Sequence, residues 1–232
     1  MIDLVEVSRE YQRGTDHVKA LDRVSLHVER GRFAALMGPS GSGKSTLLHI
    51  LAGLDRPSSG RVVVAGRDLG GLSDDQLAKF RSTHVGFVFQ FFNLIPVLDA
   101  RGNVELPLLL TSLSKAQRRE QAETALRVVG LAERASHAPN QLSGGEQQRV
   151  AIARAIVSDP EIIVADEPTG DLDAANAVEI LSLLRELRQD FGKTVVMVTH
   201  DQRGAEYVDE IHQLDKGVLL DAHSSASAEG AS

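Results

Sequence analysis

The chain has 232 residues, 42% hydrophobic and 25% charged, enough apolar material for one large core or for a core that carries an inserted lobe. Its 25 basic residues stand against 32 acidic ones, a net charge of −7 that argues against nucleic acid as the main partner. Without cysteine, disulfides and thiolate metal sites are excluded, and no apolar run reaches the roughly 18–20 residues that a membrane-spanning helix needs.

In chain order, the opening Met1-Ile2-Asp3-Leu4-Val5-Glu6 lacks the basic start and apolar middle of a secretory signal. The expectation is a cytoplasmic chain that reaches a membrane only through a partner. Strand-like runs then recur at 32–37, 61–65, 84–89, 161–165 and 194–198. Three of them, Phe33-Ala34-Ala35-Leu36-Met37, Ile162-Ile163-Val164-Ala165 and Val195-Val196-Met197-Val198, are continuously apolar, the pattern of strands covered on both faces of a parallel sheet. Helical stretches alternate with them at 44–52, 174–189 and, briefly, 202–208, with Gly53 placed to close the first. This is α/β ordering. Between Phe89 and Glu161 there is no strong strand signal. That stretch holds Ile95-Pro96 and Leu106-Pro107, a helix opened by the capping-box pattern Ser114-Lys115-Ala116-Gln117, and a second helix over 146–157. The expected division is a core of residues 1–90 and 158–222, an inserted helical lobe of 91–157, and a small, polar, disordered tail at 223–232.

Gly38-Pro39-Ser40-Gly41-Ser42-Gly43-Lys44-Ser45-Thr46 fits the phosphate-binding pattern G-x-x-x-x-G-K-[S/T] between an apolar strand and a helix. The glycines let the backbone curl until successive N–H groups face inward on phosphate oxygens, and the helix start adds free N–H groups and a positive dipole end. Lys44 supplies a mobile charge for the β and γ oxygens, and the Ser45 hydroxyl can ligate Mg²⁺. Further on, Ile162-Ile163-Val164-Ala165-Asp166-Glu167 is an apolar strand ending in two carboxylates. Asp166 at the sheet edge can hold Mg²⁺, and Glu167 can orient or deprotonate an attacking water. Two adjacent acids beside a phosphate site repel without a cation, so a metal is implied. In isolation the pair would read equally well as a solvated acidic turn.

Leu142-Ser143-Gly144-Gly145-Glu146-Gln147-Gln148-Arg149 places a second anion-binding nest, Ser143, Gly144 and Gly145, at a helix start. Ser143 and Glu146 are also spaced as a capping box, but capping does not need two glycines, which weaken a helix. This segment resembles the signature motif of ATP-binding-cassette ATPases, and it lies where that family carries it. The resemblance spans residues 4–220. It implies a P-loop NTPase fold, with a mostly parallel sheet core, N-terminal antiparallel strands and an inserted α-helical subdomain. It also implies an ATPase that binds ATP and Mg²⁺ and works as a head-to-tail dimer, with itself or a related cassette, on a transmembrane permease at the inner face of the cell membrane.

By position, the resemblance makes Gln90 the glutamine that approaches Mg²⁺ and the water. Gly170-Asp171-Leu172-Asp173 becomes the loop that crosses the dimer interface, and His200 the histidine that contacts the γ-phosphate. Tyr11 falls where the family usually has an aromatic residue that stacks on adenine, with a plain packing role as the alternative. The run from Gly86 to Pro96, Asn103-Val104-Glu105-Leu106-Pro107-Leu108 and Asp166-Glu167-Pro168-Thr169-Gly170 are similar to the lipoprotein-release and macrolide-export subgroup. Asp171 departs from the Asn often found there, and Arg101-Gly102 from Leu-Glu. Two alternatives share the same motifs: a non-transporting mechanical complex of the cell-division type, and a soluble cassette ATPase without a transporter.

Overall fold

The continuously apolar runs become the middle of a parallel sheet. In the computed structural model, which describes residues 1–14, 16–220 and 223–224, the chain opens with β1 (Ile2–Arg13), β2 (Asp16–Val28), β3 (Phe33–Met37), α1 (Lys44–Leu51), β4 (Ser59–Val64), β5 (Arg67–Asp68), α2 (Asp74–His84) and β6 (Val85–Phe89). Three helices follow, α3 (Ala100–Glu105), α4 (Lys115–Val128) and α5 (Gly144–Ile156). The chain then returns to the sheet with β7 (Ile162–Asp166), α6 (Ala174–Phe191), β8 (Thr194–Val198), β9 (Glu210–Asp215), β10 (Val218–Leu219) and β11 (His223–Ser224).

Strands β9, β3, β8, β7 and β6 lie side by side in that order, every neighbour parallel, and β10 and β11 pair antiparallel with β9. Successive side chains of a strand point to opposite faces. Phe33, Ala35 and Met37 therefore join Ile163, Ala165, Val195 and Met197 in one apolar core with α3, α4, α5 and α6. Ala34 and Leu36 join Ile162, Val164, Val196 and Val198 in the other, against α1, α2 and a second sheet. That second sheet is antiparallel, in the order β2-β1-β4-β5. Because the first core runs without a break from the parallel sheet into α3 and α4, the helices of 91–157 are fastened to the rest through α5.

Several boundaries differ from the sequence expectation. α5 starts at Gly144, not 146, because Ser143 caps it: its Oγ accepts from Glu146 N at 3.2 Å and its N–H donates to Glu146 Oε2 at 2.8 Å. α6 runs on to Phe191, where Gly192 in a left-handed conformation stops it. The segment at 202–208 is a 3-10 turn, Gln202–Tyr207. The tail expected from 223 onward begins with two residues in strand β11, paired with Ile211 and Glu210 of β9; the remainder of that expectation, 225–232, lies outside the described residues.

Strands β1 and β2 carried no periodic signal because a bulge interrupts them. Glu6 sits at φ 50°, the pairing shifts between Leu4 and Val7, and these two residues, three apart, both face the core. α2 was hidden for a different reason: only Leu77 and Phe80 of its eleven residues are buried. Phe80, 1% exposed, anchors that helix in the second core. Phe80→Ala should destabilise the fold by about 3–5 kcal/mol, read as a shift in the urea midpoint at unchanged slope. A loss under about 1 kcal/mol would mean that α2 is not held by this contact.

Candidate nucleotide site

Four strands end level. Leu36 of β3 pairs with Val198 of β8, Val198 with Asp166 of β7, and Asp166 with Phe89 of β6. The residues that follow, in the 38–46 loop, at His200, at Glu167 and at Gln90, leave the sheet from one row. In open parallel sheets ligands bind outside this carboxyl edge.

The loop after β3 is shaped by two obligatory glycines. Gly38 and Gly43 have φ of 152° and 99°, and a Cβ on them would lie 2.0 Å from Leu214 O and 2.4 Å from Ala20 O. Lys44, buried, folds its Nζ back to donate to the carbonyls of Gly38 at 2.9 Å and Pro39 at 2.8 Å. Two of its three N–H groups thus fix the ammonium against the loop and one remains for a ligand. Gly41, with φ 76°, and Ser42, whose N–H donates to Pro39 O at 3.2 Å, complete the curl, while Ser40 is exposed and Thr46 half-buried in α1.

Ser45 Oγ donates to Asp166 Oδ1 at 3.1 Å, joining the loop to β7. Burial pushes the Asp166 carboxyl above its ordinary range, the Ser45 bond opposes this, and the charge of Glu167 adds to it. A hydroxyl and a partly buried carboxylate make a hard, oxygen-only donor pair. Among the described residues no cluster of three or more His, Asp or Glu side chains offers a fuller cage. This fits Mg²⁺, which takes one or two protein oxygens and completes its shell with phosphates and water.

Glu167 adopts φ 46°, a conformation that is costly for a residue with a Cβ. Its N–H donates to Val198 O at 2.9 Å, and its Oε2 lies 3.1 Å from Nδ1 of the exposed His200. Both line a cleft of about 330 Å³ with Thr169, Gly170, Thr199 and Asp201. Gln90 lies over Gly170, where a Cβ would meet its Nε2 at 3.0 Å. The edge thus gathers the 38–46 loop, Asp166, Glu167, His200 and Gln90.

Ser143, Gly144 and Gly145 are placed elsewhere. Gly144 packs on Leu172 and Phe92, and Gly145 lies so close to Asn176 that a Cβ would meet its Oδ1 at 2.0 Å. Asp173 belongs to this second group: it caps α6 by accepting from Asn176 N at 2.9 Å and Nδ2 at 2.7 Å. Among the described residues no hydrogen bond or ion pair joins 143–145 to 38–46. Tyr11 is on β1, its hydroxyl donating to Asp55 Oδ2 at 2.6 Å and the Arg9 guanidinium 4.4 Å from its ring centroid.

The ABC transporter family profile matches residues 21–170. The uncharacterized ABC transporter ATP-binding protein MJ0796 of Methanocaldococcus jannaschii is 48% identical over 94% of this chain and 94% of its own. The chain belongs to the ABC transporter family. Its fold matches the dimeric post-hydrolysis structure of the MJ0796 cassette bound to ADP and Pi at a TM-score of 0.90 and 44% identity, over 98% of this chain and 100% of that one. The macrolide export ATP-binding/permease protein MacB of Chlorobaculum tepidum is 47% identical over 98% of this cassette, which spans only 35% of that relative's length. Among the described residues no helix is long and apolar enough to cross a membrane.

Three residues of this cassette were not singled out by their pattern. Asn176 joins Gly145 to Asp173, as above. Arg154 of α5 donates to Asn93 O at 2.5 Å and Phe92 O at 2.7 Å, clamping the turn after Gln90. Gln148 of α5 is fully buried. Within runs of polar helix residues, nothing marks which ones point inward.

The raised carboxyl of Asp166 gives a pH prediction. A carboxyl that holds its proton more tightly in the folded state contributes stability at low pH and loses it as pH rises through its folded value. Asp166→Asn should therefore melt higher than the parent at pH 7 without nucleotide, the gap closing below pH ~3, where an aspartate is protonated in both the folded and the unfolded state. A variant that melts at the same temperature, or lower, across this range would contradict the burial argument.

Proposed function

We propose that two copies of the cassette, or this chain and a related one, associate head to tail. Each ATP on the 38–46 loop of one copy is then completed by Ser143, Gly144 and Gly145 of the other. The observation that carries this reading is the placement of two phosphate nests in different parts of one chain. Ser143 is exposed at the cap, its Oγ accepting from Glu146 N, and the first-turn N–H groups of Gly144 and Gly145 have no intrahelical acceptor. That is an anion site awaiting an anion. The dimeric MJ0796 structures support the assembly. Asp173, beside Gly145, would lie at the seam, and Tyr11 would take the adenine.

Mg²⁺ would be held by Ser45 and Asp166 with Gln90 nearby, and would supply neutralisation of charge on the phosphates. Glu167 orients the attacking water and accepts its proton, and His200, already beside Glu167, contacts the γ-phosphate. Lys44 holds the terminal phosphates. Closure of the dimer brings these groups and the opposite nest together. Loss of phosphate after hydrolysis removes the charge-assisted contact and reopens it.

In this reading residues 1–90 and 158–222 form the nucleotide core, and the helices of 91–157 pass the movement to a membrane permease at the cytoplasmic face. The similarity to the MacB proteins supports a permease of the export or lipoprotein-release type. So does an apolar cleft of about 370 Å³ between core and helices, lined by Leu54, Phe87, Phe89, Pro107 and Leu110. Glu167→Gln should lower turnover by roughly 10²–10⁴-fold while ATP-dependent dimers accumulate in size-exclusion chromatography. Turnover at the parent rate would remove Glu167 as the base.

A further inference from the structure

Gln148 lies in the second turn of α5 and is 0% exposed. Its Nε2 donates to Pro168 O at 2.6 Å and to Phe89 O at 3.3 Å. These carbonyls flank the two groups assigned above to the water: Phe89 precedes Gln90, and Pro168 follows Glu167. Both neighbours are acceptors, so only the NH₂ end of the amide can face them. The other end pays for this orientation, since Oε1 is buried with no partner. An unpaired buried acceptor works against stability. Packing alone therefore does not account for the amide, because methionine fills the same space without the orphaned oxygen.

What an amide can do here, and an apolar side chain cannot, is tie two backbone segments to one donor. The turn it grips is strained at Glu167, with φ 46°, and Pro168 has no N–H with which to fasten itself. Without Gln148, the bond from Glu167 N to Val198 O would be left as the hold on the near side of that turn. The same helix grips the Gln90 segment again at its far end, through Arg154 and the carbonyls of Phe92 and Asn93, both residues at positive φ.

We propose that Gln148 is a positioning residue for hydrolysis: its amide fixes the backbone at Glu167-Pro168 and at Phe89-Gln90 in one mutual arrangement, so that the Glu167 carboxylate and the Gln90 amide address the same water. This rests on the roles assigned above to Glu167 and Gln90. Because Ser143 caps α5, the tie also fastens the helix that carries the signature nest to the hydrolytic groups of its own chain. An anion docked at the start of α5 bears on them through one side chain.

The test is Gln148→Met in the full chain, assayed with MgATP beside the parent and Glu167→Gln. Misplacing the water-holding groups without removing them should lower kcat by about 10–100-fold. KM for ATP should stay within about twofold, with the melting temperature unchanged and ATP-dependent dimers retained in the Glu167→Gln background. A Gln148→Met variant with parental kcat, beside an inactive Glu167→Gln, overturns the proposal. So does a parallel fall of kcat, nucleotide affinity and melting temperature, which marks an ordinary structural residue. Should the Met variant not fold, Gln148→Glu keeps the shape, sets an acceptor against both carbonyls and is read by the same criteria. Parental turnover in Glu167→Gln instead strikes the reading beneath.

Discussion

The paired row Leu36, Val198, Asp166 and Phe89 is the constraint on which the site depends. Parallel pairing sends four chain segments out of the sheet at one height and in one direction, so groups from residues 38 to 200 meet without any long loop to bring them together. A one-residue slip in any of these strands would turn the following side chain to the other face of the sheet. The register is secured because both faces are buried. Each of the two cores takes alternate residues of every central strand, so no shifted pairing keeps both filled.

Against that rigid background the edge itself is built from unfavourable arrangements. A buried lysine holds two carbonyls, a carboxyl is pushed toward its neutral form, a glutamate takes a left-handed backbone, and a glutamine leaves one oxygen unpaired. Each is tolerable in a well-packed domain, and in the proposed reading each serves a polyphosphate and a cation. The second nest follows a different logic. Its glycines are pressed on Leu172 and Asn176, and Ser143 caps the helix that they open. In the proposed reading, one chain holds two half-sites that it does not itself connect.

Much of the centre was legible because parallel strands buried on both faces leave continuous apolar runs, as at 33–37, 162–165 and 195–198. The segments placed on the carboxyl edge were legible because phosphate chemistry asks for particular residues at particular spacings. The remainder was hidden for identifiable reasons. The bulge at Glu6 breaks the alternation of β1, and β9 carries Glu210, His212 and Gln213 in a strand whose neighbours are settled only by the fold. Gln148, Arg154 and Asn176 look like ordinary polar helix positions until the helices are packed. Their partners are backbone carbonyls or a glycine far away in sequence, and no local pattern reports such contacts.

The claim that each site is shared between chains is tested most directly by mixing two inactive variants, Lys44→Ala and Ser143→Arg. If sites are composite, a mixed dimer holds one doubly defective site and one intact one. Equal amounts, with half of the dimers mixed, should recover about a quarter of the parent's ATPase activity. If turnover in the mixture is no greater than that of either variant alone, although mixed dimers form, the two nests do not act on the same phosphate and the account is wrong.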